Sequence, residues 1–261
     1  AQGVIRWFIT HYGVDMRGAE HPEPDAYPHF NAFFTRALRP DARPVATAPD
    51  AVASPVDGTV YAIGHAAADR LFQAKGREYS LTQLLGDATL ARSFCDGACA
   101  TVYLAPRDYH RVHMPLDGTL RSMRYVPGQL FSVNASTTHA VPGLFARNER
   151  LITVFDTAAG PMAVVLIGAL LVAAIETVWS DGVIRAAADG RLRDWDYAGS
   201  GAPALVRGAE LGRFNMGSTV IVLFAPGRVA WEPGVTAGRV VHMGEMIGRL
   251  RGDGSPHGDA V

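Results

Sequence analysis

A short phrase occurs twice in this chain. Ser54-Pro55-Val56-Asp57-Gly58-Thr59-Val60 is echoed sixty positions later by Met114-Pro115-Leu116-Asp117-Gly118-Thr119-Leu120. Each copy reads as a turn entering a strand, with Asp capping the turn and Gly supplying a positive φ. From Ala51 onward short apolar runs alternate with Gly, Pro and Asp, the texture of many short strands, and residues 225–248 repeat the punctuation without the Asp. Ahead of this body, the bulky run Val4-Ile5-Arg6-Trp7-Phe8-Ile9-Thr10-His11-Tyr12 predicts a helix closed by Gly13, followed by helix-compatible residues 16–20. A second short helix is expected over residues 30–38, before Pro40. The fold class is therefore α+β, predominantly β: short N-terminal helices plus a duplicated, barrel-sandwich-like antiparallel body. The chain divides into a helical, membrane-facing segment 1–50, a β-rich catalytic domain 51–251 and a flexible tail 252–261.

Composition narrows the chemistry. A net charge of −1 and no dense basic cluster give no drive toward nucleic acid. Lys75 is the only lysine. Cys95 and Cys99 lack a companion His or Cys pair, so we expect reduced thiols and no metal. The longest apolar run, residues 161–175, is shorter than the ~20 residues of a spanning helix and is broken by Gly168. It reads as buried strands. The N-terminus has no signal-peptide layout and begins as if inside an element. Its first helix either packs on the core or lies at a lipid headgroup boundary, where Trp, Phe and Tyr beside Arg are at home.

The chemical signal is Phe214-Asn215-Met216-Gly217-Ser218-Thr219-Val220, two hydroxyl residues after a glycine at the entrance to an apolar run. Glycine leaves its carbonyl open to attack by the following hydroxyl, so Gly217-Ser218 is a candidate scissile bond. Partners are needed. Pro106 and Pro115 bracket Asp108-Tyr109-His110-Arg111-Val112-His113, whose two histidines would face opposite sides of a strand but one pocket in a turn. If Asp57, His113 and Ser218 converge, His113 can take the serine proton while Asp57 fixes the imidazole tautomer and stabilises its charged form. The surroundings of Ser218 do not match a Gly-x-Ser-x-Gly nucleophile elbow.

These residues, with the Phe-Phe-Thr-Arg core of residues 30–44, Gln73-Ala74-Lys75-Gly76, residues 125–134 and residues 144–150, make the chain similar to the bacterial phosphatidylserine decarboxylases from about residue 5 to residue 250. Met216 departs from the usual Leu-Gly-Ser-Thr, a swap that conserves volume. The family's N-terminal helical region is also longer. The resemblance implies that Ser218, activated by His113 and Asp57, attacks Gly217, and that the ester eliminates to leave a pyruvoyl group at 218. Fragments 1–217 and 218–261 would then form a heterodimer, with a dimer of heterodimers compatible. It further implies that the ketone forms a Schiff base with the serine headgroup of phosphatidylserine and that His110 protonates the carbanion left by carbon dioxide. Phosphatidylethanolamine is then released. Neither a metal nor pyridoxal phosphate takes part. Tyr125, Phe131 and Ser132 resemble substrate-site residues, and Arg147 and Arg150 are candidates for lipid phosphate or for ordinary solvated surface. The resemblance implies a peripheral enzyme on the anionic cytoplasmic face of a bacterial membrane.

Three other readings compete. Pyridoxal phosphate needs an aldimine lysine, and Lys75 has no phosphate-binding context. A lipoyl or biotinyl carrier would present a lysine at a hairpin tip, which the Asp-Gly turns lack. A serine hydrolase using Asp57, His113 and Ser218 without self-cleavage would leave the chain whole.

Overall fold

The computed structural model describes residues 1–72, 78–133, 135–169, 175–184, 190–197, 199–215 and 219–252. The elements run α1 (Gln2–Tyr12), α2 (Phe30–Phe34), β1 (Ala51–Ala53), β2 (Gly58–His65), β3 (Arg70–Phe72), β4 (Glu78–Ser80), α3 (Leu81–Leu85), α4 (Ala88–Arg92), β5 (Ala98–Tyr103) and β6 (Arg111–His113). There follow β7 (Gly118–Val126), α5 (Ala135–Ala140), α6 (Leu144–Arg147), β8 (Arg150–Thr157), β9 (Gly160–Ile167), β10 (Ile175–Thr177), β11 (Arg193–Asp196) and β12 (Ala204–Leu205). The chain closes with β13 (Glu210–Phe214), β14 (Thr219–Phe224), β15 (Val229–Trp231), β16 (Val240–Val241) and β17 (Met246–Leu250).

One large antiparallel sheet, ordered β11-β7-β8-β9-β14-β5-β2-β16 with β12 also on β7, carries the architecture. Two small sheets, β1-β17-β15 and β10-β13-β6, supply residues such as Val112, Phe214, Val229 and Ile247 to the core on one of its faces. Helices α3, α4 and α6 cover the other through Leu81, Leu84, Leu85, Ala91, Leu144 and Phe145. β14 is buried along its whole length: Val220, Val222 and Phe224 face the first layer, Ile221 and Leu223 the second. That two-sided burial is why its sequence is a continuous apolar run rather than an alternating one.

The α+β, predominantly β class is the one observed. The barrel is not: among the described residues the large sheet is open, with β11 and β16 at its ends. Covering layers on both faces bury its apolar residues without closure. α1 matches its expectation, ending at Gly13 in the left-handed conformation (φ 65°). Residues 16–20 form turns and a bridge instead of a helix, with Ala19 paired to Leu38. α2 is shorter than expected because Thr35 turns back to bond Asn31 O, and the chain then extends toward that bridge. Ile5, Phe8, Phe33 and Phe34 pack these helices together.

The repeated phrase does start two strands, but its glycines do not take positive φ. They are needed for close approach. A Cβ at Gly58 would lie 2.3 Å from the backbone oxygen of Tyr103, whereas one at Gly118 would meet Phe155 Cβ and Thr157 Cγ2 at 3.1 Å and the backbone oxygen of Asp156 at 3.3 Å. The aspartates reach remote backbone rather than their own turns, Asp57 accepting from Met243 N–H at 2.9 Å and Asp117 from Arg207 N–H at 2.6 Å. Gly58→Ala should therefore lower unfolding free energy by about 3 kcal/mol and Gly118→Ala by about 1 kcal/mol. Urea denaturation of the two variants checks this, and equal losses would contradict the close-approach account.

Candidate active site

The strand register lines up Val126, Arg150, Ile167, Thr219, Tyr103 and Thr59 as one row across one end of the large sheet. Asp57 lies two residues before Thr59. The segment after β5 turns back at this end, through Asp108 and His110, into β6. His113 is tied to the first repeated phrase by its N–H, which donates to Pro55 O at 2.8 Å. Asp57 and His113 thus sit on adjoining segments, each less than a tenth exposed.

They are not hydrogen-bonded to each other. Asp57 is clamped by Arg43, whose Nε lies 2.9 Å from Oδ1 and whose Nη2 lies 2.5 Å from Oδ2, with Met243 N–H as a further donor. His113 Nδ1 lies 2.8 Å from the carbonyl of Gly208, an acceptor only, so this nitrogen carries the hydrogen. The tautomer expected from Asp57 is therefore set by Gly208. Nε2 keeps the lone pair and accepts from the hydroxyl of Tyr109 at 2.9 Å. Burial pushes the His113 pKa below its ordinary value, opposed by the Gly208 hydrogen bond and the carboxylates of Glu210 and Asp57.

His110 lies just outside β6 and is fully buried. Its Nδ1 donates to Asp108 O at 2.8 Å and its ring packs 4.0 Å from Phe34, while Nε2 has no partner among the described residues. Desolvation lowers its pKa to about 3, and the nearby Arg36 cation adds to the effect. Arg36 is itself buried, with its guanidinium 5.5 Å from the Phe33 ring and directed to the carbonyls of Arg107 and Asp108. A cavity of about 280 Å³ opens here, bordered by Arg36, Arg43, Asp57, Asp108 and Tyr109. Residues ahead of Ala51 thus line the same space as Asp57.

Gly217 and Ser218 lie outside the described residues, as do Met216 and Lys75. Their flanks are defined. Phe214 N–H donates to His110 O at 3.0 Å, which fixes the end of β13 to the first of the two histidines. Asn215 is held between Asn31 Nδ2, 2.9 Å from its Oδ1, and Glu176 Oε1, 2.8 Å from its Nδ2. On the other side Thr219 is locked into β14 between Tyr103 and Ile167.

The remaining candidates are more scattered. Tyr125 is buried in β7 within the first core layer, and Phe131 packs against the second, its backbone gripped on both sides by Asn148. Ser132, half-buried, follows Phe131 in the same segment. Arg147 lies 5.0 Å over the Phe131 ring. Arg150 is not a surface residue: it is buried, caps the α3 carbonyls of Leu84 and Gln83, and its pKa falls to about 10 by desolvation. Arg43, Tyr109 and the Gly208 carbonyl are the contacts that sequence reasoning missed. Only Tyr109, between the two histidines, stood near a motif that could have flagged it. Both cysteines are free thiols, and burial raises Cys99 to about 12.

The histidines give a pH signature. Below about pH 6.5 an unfolded chain protonates His110, while the folded chain resists until about pH 3. Stability should therefore fall as pH drops through that window, by at most about 1.4 kcal/mol per pH unit from this group. His110→Gln should flatten the acid limb in urea titrations at pH 4.5 and 7; an unchanged slope would contradict a neutral buried imidazole.

Residues 30–249 match the family model described as phosphatidylserine decarboxylase. The chain is 52% identical over 248 residues to a phosphatidylserine decarboxylase proenzyme of Marinobacter nauticus, covering 95% of this chain and 86% of that one. It is 54% identical over 249 residues to the proenzyme of Methylococcus capsulatus, with 95% and 86% covered. For the Pseudomonas aeruginosa proenzyme the identity is 56% over 245 residues, with 94% and 85% covered. With the match spanning β1 through most of β17, the chain belongs to the phosphatidylserine decarboxylase family.

Proposed function

We propose that this chain is a proenzyme that cuts itself between Gly217 and Ser218 and then converts phosphatidylserine to phosphatidylethanolamine and carbon dioxide. The observation that carries the reading is the family match along residues 30–249, joined to two buried imidazoles on the segment bonded to the end of β13. In the first stage His113 takes the proton of Ser218 as its oxygen adds to the Gly217 carbonyl. Its Nε2 lone pair is engaged by Tyr109, so the proton reaches it by displacing that hydroxyl or passing through it. Asp57, held by Arg43, is near enough for its charge to favour the imidazolium. The peptide becomes an ester, elimination frees the Gly217 carboxylate, and water converts residue 218 to pyruvoyl with release of ammonia.

A pyruvoyl group supplies a ketone that condenses with the substrate amine and accepts the electrons freed when carbon dioxide leaves. The chain's own residues suit such a group, because His110 keeps a buried, unpartnered Nε2 beside the segment that precedes it. With Nδ1–H spent on Asp108, His110 begins as a base. It takes a proton from the substrate ammonium and returns it to the carbon left by carbon dioxide, so one proton serves twice. The anionic phosphate and carboxylate of the lipid raise its basicity for this exchange.

The outward face of α1 presents Val4 and Trp7, each 56% exposed, with Arg6 and Tyr12 beside them. This face would rest on an anionic lipid surface, placing the enzyme peripherally on the cytoplasmic side of the membrane. No helix among the described residues is long and apolar enough to cross a membrane.

Intact mass and denaturing electrophoresis should show fragments 1–217 and 218–261, the smaller with a ketone-bearing N-terminus; a single whole chain overturns the reading. His113→Ala should block cleavage, whereas His110→Ala should leave cleavage and abolish turnover. If both block cleavage equally, the division of roles is wrong. Trp7→Ser combined with Val4→Ser should weaken flotation with phosphatidylserine vesicles by about tenfold, and unchanged flotation would contradict the docking face.

A further inference from the structure

We propose that Arg36 binds the carboxylate of the serine headgroup while His110 Nε2 accepts from its ammonium, the two side chains forming one receptor for an α-amino carboxylate. The assignment rests on phosphatidylserine being the substrate. Both side chains are held against one carbonyl: His110 Nδ1 lies 2.8 Å and Arg36 Nη2 3.5 Å from Asp108 O. The turn that presents this oxygen is braced twice, Asp108 N–H donating to Ala105 O at 2.9 Å and the Asp108 carboxylate accepting from Ala105 N–H at 2.7 Å. Arg36 stands just beyond α2, its own N–H donating to Phe33 O at 3.1 Å. The receptor therefore joins the segment ahead of β1 to the segment ahead of β6.

What the two side chains lack is complementary. Among the described residues, fully buried His110 has an acceptor without a partner at Nε2, and Arg36, 4% exposed, has donors without partners at Nε and Nη1. An ammonium donates and a carboxylate accepts, so an amino-acid end supplies both missing halves. Charge points the same way. Arg43 is paired with Asp57 and Arg111 with Glu210, and Arg107 lies 3.9 Å from Asp108. Arg36 is the arginine of this group without a carboxylate partner among the described residues; it meets the carbonyls of Arg107 and Asp108 and the Phe33 ring. Burial disfavours its charge and lowers its pKa. A side chain needed only to fill this place would be apolar at less cost.

The cavity of about 280 Å³ bordered by Arg36, Asp108 and Tyr109 brings open space to the arginine. Loss of the carboxylate as carbon dioxide removes the group that Arg36 holds. Substrate and product differ by that group alone, and a residue that pairs with it favours the one over the other.

The test is calorimetric binding to purified protein treated with sodium borohydride, which reduces any ketone so that amines bind without condensing. Wild type should bind glycerophosphoserine about tenfold more tightly than glycerophosphoethanolamine, the gain of one charge-assisted pair. Arg36→Gln should erase that preference, and Arg36→Lys, which keeps the charge, should retain part of it. His110→Ala should weaken both ligands and spare the preference. Equal binding of the two ligands by wild type would overturn the assignment, a comparison that stands even where a variant fails to fold. So would an undiminished preference in Arg36→Gln, or an equal loss of both ligands there, which makes the arginine structural. Tighter binding of free L-serine than of glycerophosphoserine would also overturn it, by giving the receptor to the amino acid. A wild-type chain that stays whole by intact mass yet keeps the preference overturns self-cleavage and leaves the receptor standing.

Discussion

β14 is hydrogen-bonded along both edges, to β5 from Thr219 to Leu223 and to β9 from Thr219 to Phe224, with every side chain buried. The preceding strand, β13, belongs to a different sheet, between β10 and β6. The chain between them passes from one layer to the other within a few residues, and both ends of that crossing are tied. Phe214 is bonded to His110 and Asn215 to Asn31 and Glu176 on one side, and Thr219 is locked into the large sheet on the other. The two flanks of the proposed cut are therefore anchored to different sheets, and anchored neighbours of this kind reduce the freedom that a reacting pair must give up.

The groups around this crossing share one electrostatic condition, exclusion from water. Burial keeps both imidazoles neutral, and the backbone carbonyls of Gly208 and Asp108 select which nitrogen holds the lone pair. Asp57 is the charged member, and Arg43 makes its burial tolerable. A buried ion pair adds little net stability, because desolvation offsets the Coulomb gain, but it fixes geometry. Arg43 and Arg36 both come from the segment ahead of β1, and Asn31 reaches the crossing itself. The N-terminal segment is therefore part of the site, whatever surface α1 also presents.

The sequence made some of this legible. The Pro-x-Asp-Gly-Thr phrases announced strands, and β2 and β7 do begin at their glycines. The apolar run after Thr219 announced a buried strand. The conformational reason given for the glycines failed because close approach by Tyr103 of β5 is a tertiary fact, invisible in a window of seven residues. The helix expected over residues 16–20 failed for a related reason: the bridge from Ala19 to Leu38 outweighs local propensity. At the site, residue types suggested an Asp–His contact, but side chains choose among many partners. Arg43, from a proline-rich segment without periodic signal, and a backbone carbonyl at position 208 took the two places. Backbone acceptors carry no sequence signature at all.

The same sheet order decides what the proposed cleavage after Gly217 would do to the molecule. Residues beyond the cut supply β14, β15, β16 and β17. β14 sits between β5 and β9, β16 pairs with β2, and β17 pairs with β1, all partners from the other side of the cut. Pulling the smaller piece away would expose Val220, Val222 and Phe224 on one face and Ile221 and Leu223 on the other. Each such side chain contributes about 1.5–3 kcal/mol when fully buried. It would also break two ladders of backbone hydrogen bonds in the middle of the large sheet. The proposed cut would therefore sever the chain without dividing the fold, because β14 would keep both of its partner strands. A reactive group proposed to form there would adjoin β14, which is paired along both edges.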